Sequence, residues 1–176
     1  MISQQRRDLA QRLFQVSHLT GQFRLRSGVV SEAYFDKYLF EAEPLLLREI
    51  AEAMSIFIPE DTSALAGLEL GGIPLATVLS QVTGLPTLFV RKKAKEYGTR
   101  RLAEGGDVAG RKLVIVEDVV TSAGQIRASA KALRERGASI TRAICVIDRE
   151  EGGVQNLADD QLELRALFRM SELPKE

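Results

Sequence analysis

The β-branched run of Val114, Ile115 and Val116 lies in a strand-patterned segment at 112–117. A brief turn of small residues joins it to a helix-patterned stretch at 125–136, which Gly137 stops. The same rhythm fills most of the chain. Ala64 to Leu68 is a short apolar run, 72–83 is a helix closed by Gly84, 87–91 is another apolar run, and 140–147 and 162–168 complete the set. Strands that alternate with helices of about a dozen residues need crossover connections, which give a parallel sheet covered on both faces. The expected fold is therefore α/β, a doubly wound and mainly parallel sheet flanked by helices. In such folds ligands sit beyond the carboxyl ends of the strands.

Ahead of that core, Leu9, Leu13 and Val16 recur at helical spacing. Residues 21–38 read as a β-hairpin, with Phe23 and Leu25 alternating with polar residues and a turn at Ser27-Gly28. Pro44 opens a further helix that ends before Pro59. The length suits a single domain over 1–176, its first 40 residues forming a small hood subdomain.

The strongest chemical signal is the continuation of the strand at 112–117. Glu117 and Asp118 lead into Val119, Val120, Thr121, Ser122, Ala123, Gly124 and Gln125. Small residues let backbone N–H groups converge on an anion, and the helix that follows adds the partial positive charge of its amino terminus. Residues 121–125 therefore read as a phosphate cradle, to which the hydroxyls of Thr121 and Ser122 add donors. Carboxylates would repel the phosphate, so the acid pair must face hydroxyls or a cation, and a vicinal ribose diol fits. Neither a Gly-Lys-Ser/Thr phosphate loop nor a G-x-G-x-x-G turn occurs, which disfavours nucleoside triphosphatases and dinucleotide enzymes.

A second signal is concentrated charge. Lysine plus arginine equals aspartate plus glutamate at 24 each, so no global field draws the chain to nucleic acid or membrane. Yet Arg91, Lys92, Lys93, Lys95, Arg100 and Arg101 crowd one connection against only Glu96 and Glu104. Regular structure is expected to resume only near Lys112, and so long a connection reads as a flexible catalytic loop over 92–110. Glycines at 98, 105 and 106 would serve as its hinges. The single cysteine, Cys145, excludes an internal disulfide and points to a reducing, cytoplasmic setting.

Together these strings resemble the type I phosphoribosyltransferases, and in detail the orotate phosphoribosyltransferases, over about residues 15–155. The acid pair and small-residue turn are similar to that family's phosphoribosyl pyrophosphate motif. The resemblance implies that Glu117 and Asp118 hold the ribose hydroxyls while 121–125 hold the 5′-phosphate. Arg91, Lys92, Lys95 and Tyr97 match the family's catalytic loop, with Tyr97 standing in place of the usual histidine. Gly71 and Gly72 fall in a segment that resembles the pyrophosphate loop. Arg26, Tyr34 and Phe35 fall in the hood motif, and Arg149 falls in an Asp-Arg-x-Glu-Gly segment whose arginine contacts orotate. With Thr121, these four form the expected orotate site.

The resemblance further implies Mg2+ as cofactor with no direct protein ligation, and a homodimer with shared active sites. The substrates expected are phosphoribosyl pyrophosphate and orotate, with catalysis by Lys95, Arg91, Lys92, Tyr97 and Asp118. Two alternatives stay open at this point: another pyrimidine or purine acceptor, and a regulatory protein that senses phosphoribosyl pyrophosphate without turnover.

Overall fold

The computed structural model describes residues 4–24, 28–93 and 101–174. Helix α1 (Gln4–Ser17) leads into an antiparallel pair, β1 (His18–Arg24) and β2 (Val30–Phe35). Helices α2 (Lys37–Ala42) and α3 (Pro44–Met54) follow. The core then runs β3 (Ala64–Leu68), α4 (Gly72–Thr83), β4 (Thr87–Val90), β5 (Ala103–Glu104), β6 (Lys112–Val120), α5 (Gly124–Arg134), β7 (Ser139–Asp148), α6 (Gly153–Asp159) and β8 (Glu163–Arg169).

The main sheet has the order β5-β4-β3-β6-β7-β8. All its pairings are parallel except the short antiparallel contact of β5 with β4. Alternation along β6 explains how both faces are filled. Val114 and Val116 join Leu13, Ile50, Leu75 and Leu79, from α1, α3 and α4, in one apolar cluster. Leu113 and Ile115 join Ile126, Ala130, Leu133 and Leu157, from α5 and α6, in the other. The doubly wound α/β class thus follows from a central strand that is apolar on both sides.

Four local expectations change. Strand β6 continues through the acid pair to Val120, so Glu117 and Asp118 lie inside it and the turn begins at Thr121. Val119 and Val120 favour extended backbone and pair with Ile147 and Asp148, which holds the polar pair in the ladder. The connection expected to stay irregular until Lys112 instead returns to the sheet as β5, with Leu102, Ala103 and Val108 buried. Helices α2 and α6 are additions. The first starts at Asp36, whose side chain accepts a hydrogen bond from the Tyr38 amide at 3.0 Å.

Register sets up the ligand end. Val120 pairs with Asp148, so β6 and β7 finish level, and the Arg149 amide donates to the Val120 carbonyl at 2.8 Å. Thr121 and Arg149 therefore begin side by side at the carboxyl edge of the sheet.

Candidate active site

Helix α5 starts at Ala123, which takes left-handed backbone (φ 61°, ψ 18°), and no side chain caps it. The ordinary role for Thr-Ser before a helix, accepting from its first amides, is therefore not realised here. The first-turn N–H groups are left for a ligand, and the helix dipole favours an anion among them. Thr121, Ala123, Gly124 and Gln125 line a cleft of about 360 Å³ together with Val119, Val120 and Glu117. Ser122 is the exception: it lies outside this lining, and its carbonyl accepts from Asn156 Nδ2 at 3.0 Å.

The two acids have different surroundings. Glu117 is half-buried and lines the cleft. Asp118 is fully buried behind it, so of the two acids Glu117 alone lines the cleft. Successive side chains of a strand point to opposite faces, which is the physical reason. Asp118 meets Lys37 Nζ at 2.6 Å and lies within hydrogen-bonding reach of Glu41 and Glu117. Burial pushes the Glu117 carboxyl well above the usual range, and the neighbouring Asp118 adds to the rise. Burial acts the same way on Asp118, but hydrogen bonds from Glu117, Glu41 and Lys37 outweigh it and hold that carboxyl low. The Lys37 ammonium is desolvated, yet its bond to Asp118 raises its pKa. The cluster thus concentrates its negative charge on Asp118 and sets Lys37 against it.

A second cleft of about 330 Å³ is lined by Tyr34, Phe35, Lys37, Tyr38, Val119, Thr121, Ile147, Arg149 and Met170. It gathers Tyr34, Phe35, Thr121 and Arg149, which the sequence placed together as a base site. Tyr34 leans on Phe23 with ring centroids 5.5 Å apart, and Arg149 Nε pairs with Glu151 at 3.1 Å on an exposed rim. Lys37, Tyr38, Val119 and Thr121 belong to both clefts, so the two share a wall.

Of the expected loop cations, Lys92 lines the first cleft and its amide donates to the Glu69 carboxylate. Arg91 is turned aside, its Nε 3.7 Å from Glu104, and it lines neither cleft. Lys95, Tyr97 and Arg26 lie outside the described residues. In the turn before α4 it is Glu69 and Leu70, joined by a cis peptide bond, that reach the cleft. Gly71 and Gly72 instead permit close approach to β6. A Cβ at Gly71 would overlap Asp118 Oδ2, and one at Gly72 would overlap the Val116 carbonyl oxygen. Lys37, Tyr38, Glu41, Glu69 and Leu70 were not anticipated as site residues.

Magnesium keeps several waters and takes one or two ionised carboxylates beside substrate phosphate oxygens. Among the described residues no group of three or more histidines, cysteines, aspartates or glutamates is arranged to hold a metal ion. Glu117 and Glu41 favour their protonated forms, and Asp118 is engaged by Lys37, so these carboxyls do not suit the ion as a ready ligand set.

Residues 40–162 match the model of the phosphoribosyl transferase domain. An orotate phosphoribosyltransferase from a Nocardioides species is 53% identical over 158 residues, which cover 90% of this chain and 88% of that protein. The chain belongs to the orotate phosphoribosyltransferase family. The orotate phosphoribosyltransferase of Methanocella arvoryzae is 44% identical, with 87% of each chain covered. In fold, the chain is similar to orotate phosphoribosyltransferase of Mycobacterium tuberculosis, solved in complex with inorganic phosphate. The TM-score is 0.86 at 24% identity, covering 97% of this chain and 98% of that one. Within this family the uncapped start of α5 falls in the matched region, as do the acid pair and Arg149's neighbours on β7.

Proposed function

We propose that this chain transfers ribose 5-phosphate from phosphoribosyl pyrophosphate to orotate, giving orotidine 5′-monophosphate and pyrophosphate in pyrimidine biosynthesis. The observation that carries the reading is the wall shared by the two clefts. A sugar with its 5′-phosphate on the amides of 121–125 and its diol at Glu117 brings its anomeric carbon to that wall. A pyrimidine between Tyr34, Phe35 and Arg149 then faces it from the other side. The orotate carboxylate suits the Arg149 guanidinium through two parallel hydrogen bonds.

In the reaction the bond from the anomeric carbon to pyrophosphate breaks, and a bond from that carbon to the orotate ring nitrogen forms. The proton on that nitrogen leaves as the bond forms and passes to the departing pyrophosphate, so the site needs no dedicated strong base. The chain's contribution is positioning and electrostatic: Thr121 to the phosphate, Glu117 to the diol, Lys92 to the charge gathering on the departing pyrophosphate. Lys95 and Tyr97 extend that cationic segment in our reading, and in a homodimer they serve the neighbouring copy's site. Mixing a K95A variant with an E117Q variant would then restore activity that neither has alone. Magnesium, bound with the donor, would supply charge neutralisation to the leaving pyrophosphate. We place the reaction in the cytoplasm, consistent with Cys145 as the one cysteine and its burial in β7.

The test is pyrophosphate release with the donor, magnesium and a panel of bases. Orotate should be the preferred acceptor. Faster release with another base would move the acceptor assignment, and donor binding without release on any base would favour a sensing protein.

A further inference from the structure

We infer that Glu41 is a positioning residue for the sugar site, its carboxyl carrying a proton that it shares with Asp118 and so fixing the acid pair of β6 from behind. Glu41 lies on α2 with 8% of its surface exposed, and Asp118 has none exposed. Glu41 Oε1 and Asp118 Oδ2 are both buried; Asp118 Oδ2 has the Lys37 ammonium at 2.6 Å, while Glu41 Oε1 meets no nitrogen donor. Both atoms crowd the same point, the place where a Cβ on Gly71 would stand.

Two buried carboxylate oxygens facing one another without a donor would repel strongly, and one proton between them turns repulsion into a charge-assisted hydrogen bond. Lys37 does not remove that need. Its Nζ pairs with Asp118 Oδ2 at 2.6 Å, which leaves Glu41 Oε1 still without a donor. One ammonium also cannot neutralise three carboxyls. The charged groups around Glu41 are Asp118 from β6, Lys37 from its own helix and Asp36 at that helix's start, while Gly71 on the remaining side brings no charge. Burial first, then the bond to Asp118, pushes the Glu41 carboxyl up to about 9, in keeping with a retained proton.

The arrangement lets an acidic cluster receive an anionic sugar. Glu41 stays neutral, Asp118 is balanced by Lys37, and Glu117 meets the diol with its partner held still. The inference rests on the reading of Glu117, with Asp118 held behind it, as the contact to the sugar diol, and its test separates the two. Infrared difference spectra of the full chain, wild type minus E41Q at neutral pH, should show a protonated carboxylic acid band that belongs to Glu41 and stands apart from the one Glu117 keeps in both proteins. Calorimetric binding of ribose 5-phosphate supplies the functional arm. E41Q, whose amide still donates to Asp118, should bind as the wild type does, whereas E41L should bind about tenfold more weakly, about 1.4 kcal/mol. As pH rises through about 9 the wild type should lose more affinity than E41Q. A difference spectrum without that band, or an E41L variant as tight as wild type, overturns the inference. Should E41L fail to fold, the infrared band and the pH response of E41Q still decide. A wild type that binds no ribose 5-phosphate overturns the sugar-site reading instead, and the infrared arm continues to judge Glu41.

Discussion

Lys37 Nζ stands 2.6 Å from Asp118 Oδ2 and lines both clefts, so one ammonium neutralises the buried acid and faces the sugar and base sites together. Replacing it with methionine keeps the stem and removes the charge, leaving Asp118 buried and unpaired. Breaking a fully buried pair costs about 3–5 kcal/mol. Lys37 keeps 33% of its side chain exposed, so a smaller loss of about 2 kcal/mol is expected. Urea unfolding measures it. The Asp118 carboxyl is held below its ordinary 3.8, so its contribution is present above that pH and is lost as pH falls through the lower folded-state value. In K37M this acid-side loss should shrink.

Glu41 works in the opposite sense. Its carboxyl is raised from 4.5 to about 9, so the folded state binds the proton more tightly than the unfolded chain. The resulting stability is complete below about 4.5 and declines as pH climbs to about 9. Glu117 contributes with the same sign. Melting temperatures followed across that window should fall for the wild type and fall less steeply for E41Q.

Arg149 should govern the acceptor and spare the donor. A charge-assisted pair is worth about 1.5–3 kcal/mol, so R149A should raise KM for orotate by about thirtyfold. KM for phosphoribosyl pyrophosphate should stay near the wild-type value. Steady-state kinetics with each substrate varied in turn makes the comparison, and an equal rise in both would remove Arg149 from the base site.

At Gly71 the issue is space. A Cβ would overlap Asp118 Oδ2 and lie 2.6 Å from Glu41 Oε1. G71A should therefore destabilise by about 1–3 kcal/mol and weaken sugar binding by displacing Asp118. Unfolding and calorimetry report the two effects separately.

What the sequence made legible is what long periodic segments reveal. The apolar runs of β3 and β6, and the helices α4 and α5 with Gly84 and Gly137 behind them, carry enough repeats to declare their type. The turn at 121–123 between β6 and α5 was legible because its small residues follow an apolar strand and precede a helical period. Helix α2 was not, since a six-residue segment spans too few turns for a period to show. Lys37 and Glu41 went unseen with it. Their importance arises from the approach of α2 to β6, a long-range contact no local pattern encodes. Strand β5 has only two residues and is defined by its partner. The burial of Asp118 follows from the continuation of β6 to Val120, for which Val119 and Val120 were the available but overlooked signal.

The most direct measurement is a crystal structure of the chain with ribose 5-phosphate. The phosphate should lie about 2.9 Å from main-chain N–H groups within 121–125, with the diol on Glu117 and Asp118 still paired to Lys37. Sugar density away from α5, or a phosphate held by side chains elsewhere with the first turn of that helix closed, would contradict it.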